Sequence, residues 1–115
     1  MDSIWITGMG LITSIGNDRA TVGQNLLDLR HGIENPDFLA PDSSPVKVAG
    51  TVKDFDVDSS DPEDWIYPAE YAVPRATIRS FSPHVLYAWC AVKQAIQDAS
   101  LSDEDLTDPD AGLYS

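Results

Sequence analysis

Ile4-Trp5-Ile6-Thr7-Gly8-Met9-Gly10-Leu11-Ile12-Thr13-Ser14-Ile15-Gly16-Asn17 opens with β-branched and aromatic residues and runs at once into glycines. Such side chains favour a pleated, half-buried surface, and glycines break it. The stretch predicts a buried strand over 4–7 and then a glycine-rich turn, with Gly8 and Gly10 permitting a tight exit. A dinucleotide fingerprint would need a third glycine at 13, where Thr13 stands, and no P-loop lysine follows. The glycines are therefore read as structural, and no cofactor is assigned. A helix should follow the turn. Thr21 and Gln24 have capping-box spacing, Val22, Leu26 and Leu29 recur at helical intervals, and Gly32 supplies a stop.

Further along, Pro36, Pro41 and Pro45 mark 34–45 as loop, and Val46 to Val52 alternates loosely as a strand would. Asp54, Asp56, Asp58, Asp61 and Glu63 lie in a serine-containing run read as a solvated surface loop. Its first three acids have the spacing of a calcium loop, but Ser59 replaces the required glycine and Trp65 the terminal glutamate. Trp65, Tyr67 and Tyr71, set between prolines, predict an irregular but packed segment over 65–75. The clearest element is a helix from Ser82 to Ala99, with Ser82 as N-cap and Pro83 in the first turn. Val85, Trp89, Val92 and Ile96 are expected on its buried face, and Ala88, Ala91, Ala95 and Ala99 allow a neighbour to approach closely. A polar linker, Ser102 to Asp110, leads to Ala111-Gly112-Leu113-Tyr114-Ser115, read as the start of another strand and hence of an incomplete domain.

Charge narrows the function classes. The 115 residues carry 19 acidic and 7 basic side chains, a net charge of −12, which repels nucleic-acid phosphates and anionic membrane surfaces. Apolar residues make up 43%, a globular share. The N-terminus lacks a basic region followed by a long apolar run, and no apolar stretch approaches a membrane span. A cytoplasmic protein is the expectation. Cys90 is the single cysteine, so no internal disulfide forms. It falls in mid-helix, away from anything that would lower its pKa, and reads as a buried structural residue. His31 and His84 have no partner at metal-ligand spacing, and no metal is assigned.

Taken together, residues 4–17 resemble the opening strand and turn of β-ketoacyl-acyl-carrier-protein synthases. Leu29-Arg30-His31-Gly32-Ile33 is similar to the end of that family's first helix, and Gly50-Thr51-Val52-Lys53 to the segment after its first long loop. Arg79 to Leu101, with Gln94-Ala95-Ile96-Gln97-Asp98-Ala99 inside it, resembles the next long helix, and Ala111 to Ser115 the following strand. The likeness spans 1–115 and is closest to the type I branch, with an acidic variable loop at about 54–74. It implies an α/β, thiolase-like fold of layered helices and mixed sheet, of which this chain is part of the first half, and usually a homodimer. The implied reaction is a decarboxylating Claisen condensation of acyl and malonyl thioesters carried on acyl-carrier protein, using a cysteine and two histidines beyond the equivalent of Ser115. No catalytic residue is carried over, and these residues alone should be inactive. In the type I branch a small basic patch before the long helix contacts the acidic carrier. Arg75 and Arg79 match two of its positions, with Ala76 in place of a third. The alternative for that pair is an ordinary surface role. The alternatives for the chain are a non-catalytic, chain-length-factor-like partner subunit and a stand-alone interaction fragment.

Overall fold

Ser82 breaks from the helical conformation with φ −94° and ψ 165°, Pro83 takes the first helical position, and α3 runs from Pro83 to Asp98. This is the element the rest packs against in the computed structural model, which describes residues 2–39 and 45–114. Before it come α1 (Arg19–Leu27), β1 (Ile33–Glu34), β2 (Ala49–Gly50) and the short helix α2 (Arg75–Ile78); α4 (Asp103–Thr107) follows. Single 3₁₀ turns lie at Pro62–Asp64 and Ala69–Tyr71. Strands β1 and β2 pair antiparallel, Ile33 opposite Gly50 and Glu34 opposite Ala49. The result is a small mixed α/β unit, and among the described residues none of its helices is long and apolar enough to cross a membrane.

The buried stripe of α3 differs from the expected one. Leu86 and Cys90 are fully buried, whereas Val85 and Val92 are exposed and Trp89 is only partly covered. Leu86, Cys90 and Gln94 follow one another at i, i+4, i+8, so they share a face. Gln94 extends the apolar stripe because its amide is consumed internally. Its Oε1 accepts from the Leu11 N–H at 3.0 Å, and its Nε2 donates to the Asn17 carbonyl at 2.5 Å and to the Tyr71 hydroxyl at 2.6 Å. A reading by hydrophobicity passes over a glutamine whose partners lie far off in sequence. The core on this face joins Leu86 and Cys90 to Trp65, Val73 and Ile78, with Ile12, Phe55, Val57, Tyr67, Tyr71, Phe81 and Trp89 around it. Phe55 meets Tyr87 edge-on at 5.2 Å between ring centres.

Two expected strands are not formed among the described residues. Residues 4–7 form no strand, and Ile4, Trp5 and Ile6 are largely exposed, Ile4 at 99%. Residues 111–114 likewise form none, with Leu113 and Tyr114 exposed, and Ser115 lies outside the described residues. β-propensity states only that a side chain suits a sheet; a ladder partner must still supply the hydrogen bonds, and among the described residues none does so here. The expected layered helices and sheet are accordingly not formed by these residues alone.

Local signals moved by a few residues for identifiable reasons. Asp18, not Thr21, caps α1: its carboxylate accepts from the Thr21 N–H at 2.7 Å and from the Thr21 hydroxyl at 2.7 Å. The helix ends at Leu27, with Leu29 just beyond it adopting φ 54°, and does not run on to Gly32. Arg30 N–H reaches the Asn25 carbonyl and Leu29 N–H the Leu26 carbonyl, a Schellman closure without glycine. Gly32 has a packing role instead, since a Cβ there would stand 2.3 Å from the Ser14 carbonyl oxygen. The strand expected over 46–52 contracts to Ala49–Gly50, and Pro41 of the expected loop lies outside the described residues. The acidic stretch is solvated at Asp54, Asp56, Asp58 and Asp61 as expected, while Asp56 pairs with Ile66 across a β-bridge and Phe55 and Val57 turn into the core. Within the polar linker, Ser102 and Asp105 form a reciprocal capping box that starts α4.

Gly8 and Gly10 do more than end a strand. Added Cβ atoms would lie 2.4 Å from the Ala95 carbonyl oxygen and 1.8 Å from the Ala91 carbonyl oxygen, so the opening turn rests directly on the backbone of α3. Of the four alanines expected to permit close approach, Ala91, Ala95 and Ala99 are approached, and Ala88 is exposed. Gly23, inside α1, has no such neighbour within 4 Å. Gly10→Ala should therefore destabilise the fold by about 2–3 kcal/mol through overpacking, and Gly23→Ala should stabilise it by about 0.5–1 kcal/mol through helix propensity. Urea unfolding followed by circular dichroism measures both, and equal effects at the two glycines would contradict the packing described.

Candidate functional site

Pro74 stops the preceding segment and starts α2, with the Thr77 and Ile78 N–H groups donating to its carbonyl at 2.9 and 3.0 Å. Ile78, only 4% exposed, anchors this single turn in the core. Arg75 and Arg79 are one helical turn apart and share a face, and both point to solvent, with side-chain exposures of 79% and 63%. Facing them is the Pro62–Asp64 turn, which is held on both sides. Asp61 caps it by accepting from the Glu63 N–H at 3.0 Å, and the buried Trp65 donates its indole N–H to the Ser59 carbonyl at 2.8 Å.

Glu63 then bridges the two arginines. Arg75 Nε donates to one carboxylate oxygen and Arg79 Nε to the other. The Glu63 side chain is only 14% exposed beneath them. The Arg79 hydrogen bond, and then that of Arg75, holds the Glu63 carboxyl below its ordinary value of 4.5. Glu63 in turn raises Arg79, with a smaller contribution from Asp61. The structure thus brings together the two arginines singled out from the sequence and adds an acid that the sequence did not single out. A separation of 12 and 16 residues leaves no local pattern by which to pair Glu63 with either.

The other ion pairs are balanced differently. Among the described residues Arg19 has Asp98 at 2.9 Å, Arg30 has Asp28 at 3.9 Å and Lys53 has Glu34. Lys93 stands 5.3 Å from the Trp89 ring centre. Arg75 and Arg79, by contrast, share a single hydrogen-bonded carboxylate, with Asp61 acting on Arg79 from further off. A hollow of about 530 Å³ between α1 and α3 has the opposite character: Asp18, Asp54, Glu70 and Asp98 line it against Arg19 alone. An acidic partner would be repelled there and attracted at the arginine pair.

The remaining candidates take structural places. Cys90 is fully buried in the middle of α3, and desolvation pushes its thiol up to about 11. A thiolate nucleophile needs the reverse shift. His31 is exposed and accepts from the Ile33 N–H at 3.3 Å, and His84 is exposed in the first turn of α3.

Comparison with known proteins places this geometry in context. The chain matches the family described as "Beta-ketoacyl synthase, N-terminal domain" over residues 1–115. It is 31% identical over 109 residues to 3-oxoacyl-acyl-carrier-protein synthase 1 of Haemophilus influenzae, covering 94% of this chain and 23% of that protein. It is 30% identical over 105 residues to the chloroplastic synthase II of Arabidopsis thaliana, covering 91% of this chain and 17% of that protein. It is 31% identical over 109 residues to synthase 2 of Staphylococcus aureus, covering 95% of this chain and 23% of that protein. The chain thus spans less than a quarter of the length of these relatives.

Two measurements check the site as described. Because Glu63 is depressed in the folded state, the bridge should be intact above pH 4.5 and be lost as pH falls through the lowered value. In a carboxyl titration by nuclear magnetic resonance, Glu63 should titrate below 4.5, and Arg79→Ala should raise its midpoint more than Arg75→Ala does; a midpoint at or above 4.5 in the unsubstituted chain would contradict the bridge. At pH 8 a thiol-alkylating reagent should label Cys90 only after denaturant is added, and equal labelling rates with and without denaturant would show the thiol to be accessible.

Proposed function

The chain belongs to the β-ketoacyl synthase family, and from that premise we propose that it is the N-terminal segment of a 3-oxoacyl-acyl-carrier-protein synthase, with Arg75 and Arg79 as a contact for the carrier protein. The names of the relatives support the first part of this reading. For the second, the observation that carries the reading is the exposed arginine pair sharing one carboxylate. An acidic carrier needs positive potential at its docking surface, and a charge of −12 makes that rare on this chain.

In this reading the complete enzyme carries out a decarboxylating Claisen condensation in fatty-acid chain elongation. A cysteine thiolate accepts an acyl group from the carrier, malonyl-carrier loses carbon dioxide, and the resulting enolate attacks the acyl-enzyme. Two histidines stabilise the enolate, and backbone N–H groups hold the oxyanion. None of these catalytic groups is assigned within residues 1–115; the buried, proton-retaining thiol of Cys90 supports leaving it out. The segment contributes scaffold and partner contact, and is inactive by itself. The thiolase-like layering, homodimeric assembly and cytoplasmic location belong to the same proposal. Exposed apolar residues of sheet-forming type at Ile4, Trp5, Ile6, Leu113 and Tyr114 support the layering, since each suits a position between sheet neighbours.

The test is a binding titration of the full-length enzyme with an acyl-carrier protein. Reversing both charges, Arg75→Glu with Arg79→Glu, should weaken the affinity about tenfold or more at low salt, and added salt should weaken the unsubstituted enzyme in the same direction. An affinity unchanged by the double substitution would remove the docking role while leaving family membership intact.

A further inference from the structure

The arginine pair is already occupied. Glu63 gives one carboxylate oxygen to each Nε, so the groups best placed to grip an incoming acid are engaged within the chain. The carboxylate is mostly covered while both guanidiniums stay exposed. The contacts to Glu63 run through Nε, and both guanidiniums stay largely exposed to an outside acceptor. Below Glu63 the backbone is fixed by the Asp61 cap and the buried Trp65. The side chain is the movable part, and an ion pair of exposed arginines is worth little to keep.

We propose that Glu63 is an internal competitor for Arg75 and Arg79: it holds, in the free protein, the place that a carboxylate of an acidic partner protein takes on docking. This rests on the docking role given to the pair above, and adds to it a residue that sets the strength of the contact. The occupant of the bridge is itself a carboxylate spanning two forked donors, a geometry that suits two parallel N–H to oxygen contacts. A phosphate suits that geometry as well; the group Glu63 stands in for is taken as a partner carboxylate, the chemistry Glu63 itself presents. Docking becomes an exchange of one carboxylate for another, and the gain in ion pairing is only the difference between the two. A weak, quickly reversed contact follows, with most of the tuning in the dissociation rate. Removing the Glu63 charge leaves both guanidiniums without the carboxylate they share.

The test uses the full-length enzyme and apo-acyl-carrier protein, which lacks the phosphopantetheine and so presents only its own carboxylates. Glu63→Gln should bind the carrier about threefold or more tightly at low salt than the unsubstituted enzyme does, with a steeper loss of affinity as salt rises. Glu63→Ala, which removes the same charge, should act in the same direction and serves if the glutamine variant folds poorly. Asp64→Asn is the control for charge alone: it changes the net charge equally, but Asp64 contacts Ser59 and not the arginines. Glu63→Gln should therefore exceed it. Affinity that is unchanged or weaker in both Glu63 variants, or no greater than in Asp64→Asn, overturns the competitor role. If Arg75→Glu with Arg79→Glu weakens binding while the Glu63 variants do not strengthen it, only the competitor fails. If the arginine reversal has no effect, the docking reading fails with it.

Discussion

The amide of Gln94 is the point on which the rest of this structure depends. One side chain on α3 receives the Leu11 N–H and donates to the Asn17 carbonyl and the Tyr71 hydroxyl. It fastens both limbs of the glycine-rich turn and the aromatic segment before α2 to the same helix. The turn cannot sit there unless Gly8 and Gly10 admit the α3 backbone, and the helix cannot offer that surface unless Ala91, Ala95 and Ala99 are small. A partly buried amide left without partners would cost about 1–3 kcal/mol, so the hydrogen bonds and the close packing require each other. Asp98, one turn beyond Gln94, adds to this by accepting from Met9 N–H and pairing with Arg19.

From that anchoring follows the position of the candidate site. Tyr71 is tied to Gln94, and Trp65, Val73 and Ile78 pack with Leu86 and Cys90. The segment between Trp65 and Ile78 is irregular in secondary structure but fixed at these points. Its two ends carry Glu63 and Arg79, and its fixed path brings the acid under the arginines. The charge distribution completes the arrangement. The chain is acidic overall and repels an acidic partner, and the exposed arginines of this patch run against that charge. In such a field a docking contact draws its specificity from the contrast with its surroundings, and only secondarily from its own strength.

Much of this was legible in the amino-acid order. Ser82 and Pro83 announce α3, the Trp65–Arg75 segment is packed as its aromatic residues and prolines imply, and the order of motifs along 1–115 identifies the family. Arg75 and Arg79 stand out as basic residues in an acidic chain. These features are local: a cap, a breaker, a ring too large to leave in water, or a run of residues with characteristic spacing. Each depends on chemistry within a few residues of itself.

Tertiary structure decided what depends on partners distant in sequence. It put Leu86 and Cys90 at the centre of the inward stripe, left Val85 and Val92 exposed with Trp89 partly covered, and drew Gln94 inward through its three remote partners. It left Ile4, Trp5 and Ile6 exposed, because sheet-forming residues become a strand only when another strand meets their backbone. It placed Glu63 between Arg75 and Arg79, across 12 and 16 residues of chain. Sequence alone determined which segments could form helices and turns and which side chains carried charge; the fold determined which of those charges met, because hydrogen bonds and ion pairs act over ångströms in space and not over positions in the chain.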